Sequence, residues 1–399
     1  MDKAIGGAAI GSGINAGGAS PHISSRAKAR QLWLKIHRWI GLALLVPMAV
    51  LGVTGSAQVW PEETEALLNR QREVTATANP AAITAANIAT ARTTLEGWGP
   101  LASIEMGEIG QPIIASSAVH APPLHGIAGP QRQMAWIDPA GGEVLDVASS
   151  SGSFMWYMHF IHGVLMIPEI GRQVVGWMGV FLVVSGVTGL VVFWPGRARF
   201  LAALRWQKRD GKALNLHRQS GVILSIVLIV EAITGAWISF PAFFAAIVEP
   251  GVEQPQRPRR GGGPDEMPLV MEDAAWIGAL ASAQAAYPGR PTGITAPVAA
   301  DGAWKVTLSA PGKTAEVTLP LAGGVPLVEE EEARTGPPPP STRAGAVSMV
   351  MRQLHYATIG GFVWQVLVFL SGVALTFLSL SGVYVWAKRK LKKRRRAAA

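Results

Sequence analysis

The sequence predicts an all-α membrane core of four transmembrane helices, arranged as two parallel pseudo-symmetric helix pairs, with two α+β modules outside the bilayer. Three observations carry this prediction: apolar runs of spanning length, basic segments that all fall on one side of them, and a repeat that sets histidines in register.

Four stretches are long enough to cross about 30 Å of hydrocarbon as helices: 36–60, 171–194, 217–240 and 362–386. Each begins or ends near tryptophan, which favours the interface. The segments "RAKARQLWLKIHR", "GRARFLAALRWQKRDGKALNLHR" and "KRKLKKRRR" precede the first span, join the second to the third and follow the fourth. All lie on one side, so the positive-inside rule puts both termini in the cytoplasm of a multi-pass protein of the bacterial inner membrane. A secretory signal peptide over Arg26–Gln58 is the competing reading. The run is too long for that and recurs at Leu216, so a retained helix is expected.

The organisation that follows is a disordered cytoplasmic tail over 1–30, a first span over 31–60, a periplasmic module over 61–155 and a periplasmic-side helix with the second span over 156–194. A cytoplasmic loop over 195–216, a third span over 217–241, a second module over 242–348, a fourth span over 349–387 and a basic tail over 388–399 complete it. The modules carry strand and turn signals in "MAWIDPAGGEVLDV" and "AWKVTLSAPGKTAEVTLPLAGGVPLV". The stretch "EEEEARTGPPPPST", Glu329 to Thr342, reads as a linker.

Composition excludes several classes of function. With 49% hydrophobic and 15% charged residues, the 399-residue chain has too little polar surface for a soluble protein. Its net charge of +9 sits beside apolar runs rather than on a base-stacking face, so no nucleic-acid partner is expected and the lipid bilayer is. The absence of cysteine removes iron–sulfur clusters, c-type haem attachment, thiolate zinc sites and disulfides. No Walker loop, dinucleotide fingerprint, HExxH or GxSxG occurs, so no nicotinamide or flavin site of its own is expected.

The repeat points to chemistry. Shifting "WLKIHRWIGLALLVPMAVLGVTGSAQVWP" by 180 lays His37 on His217, Arg38 on Arg218, Gly41 on Gly221, Thr54 on Thr234, Gly55 on Gly235 and Pro61 on Pro241. A shift of 193 lays His162 on His355, Leu182 on Leu375, Thr188 on Ser381 and Gly189 on Gly382. Each half then goes out and back, which makes the halves parallel repeats about an axis along the membrane normal. Imidazoles from symmetry-related helices can supply both axial bonds of a six-coordinate haem iron. His37 with His217 near the cytoplasmic face and His162 with His355 near the periplasmic face would hold two b-type haems, with small residues letting helices and macrocycle approach. A single interfacial histidine beside basic residues is usually just an amphipathic anchor, and it is the two symmetry-consistent pairs that favour ligation.

His159 lies three residues before His162 on one helical face, and could contact a haem propionate or replace it as ligand. The spacing to Thr188-Gly189, matched from His355 to Ser381-Gly382, favours His162. Met155, Met158 and Met166 read as packing residues. Glu231, about 14 residues into the third span, is either hydrogen-bonded to Thr234 or a neighbouring helix, or a proton or quinol contact. His120 and His125 lack metal-ligand spacing, and His22 falls in the tail.

The chain resembles the PepSY-associated transmembrane-helix family of bacterial inner-membrane proteins, often called iron-regulated membrane proteins. The carriers are "KIHRWIGL" with "GVTG", "IHGVLMIPEIGRQVVGW" with "VTGLVVFWP", "NLHRQSGV" with "AITG", and "LHYATIGGFVW" with "LSGVYVWAKR". "AWIDPAGGEVLDV" is similar to the ending of a PepSY module, whereas "LPLAGGVPL" in the second module departs from it. The resemblance implies a four-helix haem-binding core, PepSY-like periplasmic modules and ferric-siderophore reduction in iron uptake; because reducing pools lie in the cytoplasm and the chain has no nicotinamide or flavin motif, a cytoplasmic reductase or quinol is the expected electron donor. Two other functions compete: a haem-bearing subunit exchanging electrons with quinone and a partner enzyme, and a haem-free PepSY protein that signals or inhibits a protease.

Overall fold

A computed structural model describes residues 25–74, 83–107, 110–118, 121–127, 129, 131–193, 205, 211–251, 267–298, 302–332 and 340–397. The amino-terminal tail with His22, the loop residue His120 and most of the 195–216 connection lie outside the described residues.

Among the described residues three helices are long and apolar enough to cross a membrane, and a bent pair makes a fourth candidate span. The pair is α1 (Ser25–Ala43) and α2 (Leu45–Ala57), inclined by 68°. The apolar run predicts one continuous span here. Pro47 accounts for the difference: it has no N–H to give the Ala43 carbonyl, and its ring crowds that carbonyl. The helical bonds resume on either side, from Leu44 N to Ile40 O at 2.9 Å and from Met48 N to Leu44 O at 2.8 Å. After a short α3 (Pro61–Leu68) and helix α4 (Ala85–Leu95), the core continues with α5 (Phe154–Val164), which ends in left-handed Leu165, and the spanning helix α6 (Gly171–Phe193). The other half contributes α7 (Lys212–Ser239), then α8 (Pro241–Val248) and α9 (Asp273–Ala286), then α10 (Arg343–His355) and α11 (Gly361–Ala397).

Apolar side chains on the outside of this bundle face no protein: Ile226 is 71% exposed, Val46 66% and Phe362 69%. Such a surface is stable only under lipid. Inside, glycines let backbones touch. A Cβ at Gly372 would lie 2.7 Å from the Gly52 carbonyl oxygen, so α11 meets α2 there, with Ser56 beside it. A Cβ at Gly179 would lie 3.0 Å from the Ala232 carbonyl oxygen and 3.4 Å from Ala236, where α6 meets α7.

Outside the bundle the described residues form one antiparallel sheet of eight strands in the order β4-β3-β2-β1-β5-β6-β7-β8. The first module supplies β1 (Leu101–Met106), β2 (Ile113–Ser117), β3 (Gln133–Ile137) and β4 (Val144–Ser149); the second supplies β5 (Arg290–Thr295), β6 (Ala303–Ala310), β7 (Lys313–Pro320) and β8 (Leu327–Glu332). They join edge to edge through β1 and β5, with Ile104 opposite Ile294. Helices α4 and α9 contribute to one shared core, in which Ile88, Ala91 and Leu95 lie in the same cluster as Trp276, Ala283, Ile104 and Val306. Two separate modules were expected; the pairing of their edges merges them, which also removes two exposed strand edges.

The turn signals act as expected. Asp138 Oδ1 accepts from Ala140 N at 2.7 Å, and Gly142 takes a positive φ of 70°, which closes the β3–β4 hairpin. The proposed linker is corrected in part. Glu329–Glu332 belong to strand β8, paired along β7 and tied to it by Lys313 with Glu330, whereas 333–339 lie outside the described residues. A cross-strand lysine offsets the poor strand propensity of glutamate.

Candidate functional site

The four histidines selected by the repeat come together as two pairs. The rings of His37 (α1) and His217 (α7) have centroids 6.4 Å apart. Those of His162 (α5) and His355 (α10) are 6.0 Å apart. The second pair lies on the helices that lead directly out of β4 and out of the second module, so it is the sheet-proximal one. In both pairs one ring comes from each half of the chain.

Each histidine is held by a hydroxyl-glycine dipeptide on another helix of its own half. His37 Nδ1 lies 2.9 Å from the Ser185 carbonyl oxygen and 3.4 Å from Thr188 Oγ1, with its ring against Gly189. His162 Nδ1 lies 3.1 Å from the Leu51 carbonyl oxygen and 3.3 Å from Thr54 Oγ1, with its ring against Gly55. His217 Nδ1 lies 3.0 Å from Ser381 Oγ, beside Gly382, and also bonds the Leu378 backbone. His355 Nδ1 lies 3.0 Å from Thr234 Oγ1, beside Gly235. For His37, His162 and His217 the backbone group involved, on Ser185, Leu51 and Leu378, stands three residues before the hydroxyl.

The local chemistry fixes the tautomer. The hydroxyls of Thr54, Thr188, Thr234 and Ser381 all donate backwards to carbonyls of their own helices, at 2.8, 3.0, 2.9 and 3.3 Å respectively. A hydroxyl that has given its proton away can only accept from Nδ1, as can a carbonyl. Nδ1 therefore carries the proton, and Nε2 is the nitrogen able to act as a ligand. At Gly55, Gly189 and Gly235 the ring lies where a Cβ would crowd it, whereas Gly382 leaves ordinary contact distance to His217.

His355 has one further partner. Glu231 Oε2 lies 3.2 Å from its Nδ1, and the Glu231 side chain is only 14% exposed. From the sequence, Glu231 is expected to bond Thr234 or a neighbouring helix, or to be a proton or quinol contact. Thr234 bonds the backbone of Glu231, at 3.0 Å, and the side chain turns to the histidine.

The remaining candidates stand apart from the pairs. His159 bonds Gln58 Oε1 at 3.2 Å on the exposed side of α5. His125 sits in the left-handed region at φ 56°, with its ring 6.4 Å from that of Tyr157. Among the described residues no group of three or more His, Asp or Glu could hold a metal ion. Sequence reasoning found the four histidines but treated the threonines and the serine only as alignment marks. The signal for their role was present: each hydroxyl residue directly precedes its glycine, in "GVTG", "VTG", "AITG" and "LSG".

A bundle of apolar helices with inward-facing polar pairs beneath an antiparallel sheet defines a membrane-embedded protein with an extramembrane domain. The chain belongs to the family described as the PepSY-associated TM region, whose profile matches residues 34–389. No curated protein matches it.

Proposed function

We propose that the chain is a dihaem transmembrane electron-transfer protein of the bacterial inner membrane, one that carries electrons from the cytoplasmic side to the periplasm and reduces ferric siderophores there. The observation that carries this reading is the pairing of four histidines, each with Nδ1 engaged and each facing a histidine from the other half. Two imidazoles trans across one iron place their centroids about 6 Å apart, taking roughly 2 Å for each metal–nitrogen bond and roughly 1 Å from nitrogen to centroid. Separations of 6.4 and 6.0 Å match that span. Among the described residues each pair brings together two such ligands and no third, which would suit an iron already held by a macrocycle. A haem at each pair would supply reversible one-electron iron chemistry.

The reading of the halves as parallel repeats is supported by equivalent contacts. Shifts of 180 and 193 turn the Gly372 contact with Gly52 and Ser56 into the Gly179 contact with Ala232 and Ala236. The same shifts interchange the four histidine clamps. The chain's own residues orient the ligands: Thr188 and Ser381 at the sheet-distal pair, Thr54 and Thr234 at the sheet-proximal one. The orientation rests on the basic segments, and Arg30 Nη2, 3.2 Å from the Val192 carbonyl oxygen, ties two of the helix ends next to them. The sheet, a joining of two modules of the kind the family name suggests, then roofs the periplasmic side.

Ferric siderophores as substrate are what the family resemblance implies. They bind Fe(III) through hard oxygen donors and hold Fe(II) less well, so one electron delivered outside the membrane releases the metal. The test is anaerobic: the purified, dithionite-reduced protein should show low-spin haem absorption and be reoxidised by a ferric siderophore while ferrous iron appears in a chelator trap. Haems that stay reduced with a panel of siderophores but reoxidise with quinone favour the partner-subunit function. A protein without a haem spectrum leaves only the haem-free signalling or inhibitor function.

A further inference from the structure

The two histidines of the sheet-proximal pair are not held alike. Around His162 the Nδ1 acceptors are the Leu51 carbonyl oxygen and the Thr54 hydroxyl, both uncharged. Around His355 they are the Thr234 hydroxyl and the carboxyl group of Glu231. The shift of 180 that superposes Thr54 on Thr234 and Gly55 on Gly235 lays Leu51 on Glu231. One acidic side chain has thus been placed where the repeat has an apolar one, against one ligand of four.

Packing does not explain it. Glu231 Oε1 is buried and has no hydrogen-bond partner among the described residues, and such an oxygen costs stability rather than adding to it. Leucine fits the equivalent position in the other half, where Leu51 is buried. The oxygen that does have a partner is spent on the Nδ1 of a candidate iron ligand. A carboxylate accepting that proton pushes electron density into the ring and makes Nε2 a stronger donor. A stronger donor favours ferric over ferrous iron.

We infer that Glu231 is a positioning residue that lowers the reduction potential of the haem held by His162 and His355, relative to what an uncharged acceptor would give. The inference rests on the reading of the pairs as haem ligands. Its effect is one-sided: the His37–His217 pair has only hydroxyl and backbone acceptors and is untouched. The consequence for the proposed reaction is that the site nearest the substrate is the more strongly reducing for having Glu231.

The experiment is a potentiometric titration of the haem-loaded protein, followed by its visible spectrum, for wild type, Glu231→Leu and Glu231→Gln. In Glu231→Leu one of two one-electron waves should shift so that the ferrous form is favoured about tenfold, or about 59 mV. Glu231→Gln, which keeps the shape and a neutral acceptor, should shift the same wave in the same direction by less. Both variants should retain two haems per chain, and the other wave should stay in place. Two unshifted waves in haem-loaded Glu231→Leu and Glu231→Gln overturn the tuning role while leaving the ligand assignment intact. Wild-type protein that binds no haem overturns the ligand assignment itself.

Discussion

Gly55 and His162 touch so closely that a Cβ built on the glycine would lie 2.8 Å from Cε1 of the ring. The corresponding approaches are 3.1 Å for Gly189 to His37, 3.1 Å for Gly235 to His355 and 3.6 Å for Gly382 to His217. Gly55→Ala should displace His162 and cost one of two haems per chain, measured by pyridine haemochrome. Gly41→Ala, where a Cβ would meet nothing within 4 Å, should keep both.

Removing a ligand should act pair by pair. His37→Ala or His217→Ala should remove the sheet-distal haem and leave the other. His162→Ala or His355→Ala should do the reverse. His159→Ala should leave both, because its ring is held by Gln58 outside the pairs. Full haem content in all four ligand variants would end the assignment.

Gly372→Leu should loosen the bundle. The new side chain would enter space held by the Gly52 carbonyl and by Ser56, and overpacking of this kind costs about 1–3 kcal/mol. Because α11 also carries Ser381, the clamp of His217, thermal unfolding in detergent should move to lower temperature and haem loss should accompany it. An unchanged melting temperature would show that the two backbones separate without penalty.

Membrane orientation can be read with reporter fusions. Insertions at Asp210 and after Lys393 should report the cytoplasm, and those at Gly141 and Gly302 the periplasm. A periplasmic signal at Asp210 would invert the proposed direction of electron flow.

The two modules are also linked by an ion pair. Arg92 on α4 approaches Asp273 on α9 at 2.8 Å, and this bond holds the Asp273 carboxyl below its ordinary value of 3.8. A depressed carboxyl contributes stability that is fully present above the unfolded value and is lost as pH falls through the folded one. The pair is exposed, so its contribution is small. The stability difference between wild type and Asp273→Asn should be constant from pH 7 to pH 5 and shrink below about pH 3.8. A difference that grows in acid would contradict the assignment.

The repeat made the histidine pairs legible, because two rigid shifts bring chemically matched residues into register without any knowledge of packing. The bend before Pro47 was also written in the chain. A proline there can be read either as a kink or as a tolerated interruption of an apolar run, and hydropathy alone chooses the second. Two features needed three dimensions. Strands β1 and β5 pair across roughly 190 positions, and nothing local in "LASIEM" or "RPTGIT" names the partner. For Glu231 a bond to Thr234, a bond to a neighbouring helix and a proton or quinol contact all stay open in the sequence, because periodicity does not say which neighbour a side chain turns to; here it is His355 on α10.

The crossed clamps set an order for biosynthesis. His37 emerges from the ribosome early, yet it waits for Thr188, and the ring it faces is not secured until Ser381 has been made. His162 finds its own clamp at once, in a helix already synthesised, but faces nothing until His355 appears. Neither pair therefore has both rings and both clamps during the first nine-tenths or so of translation. Whatever the pairs hold must be captured by a chain that is nearly finished and already threaded through the bilayer, so a truncated product, however well inserted, would leave the ribosome without either centre.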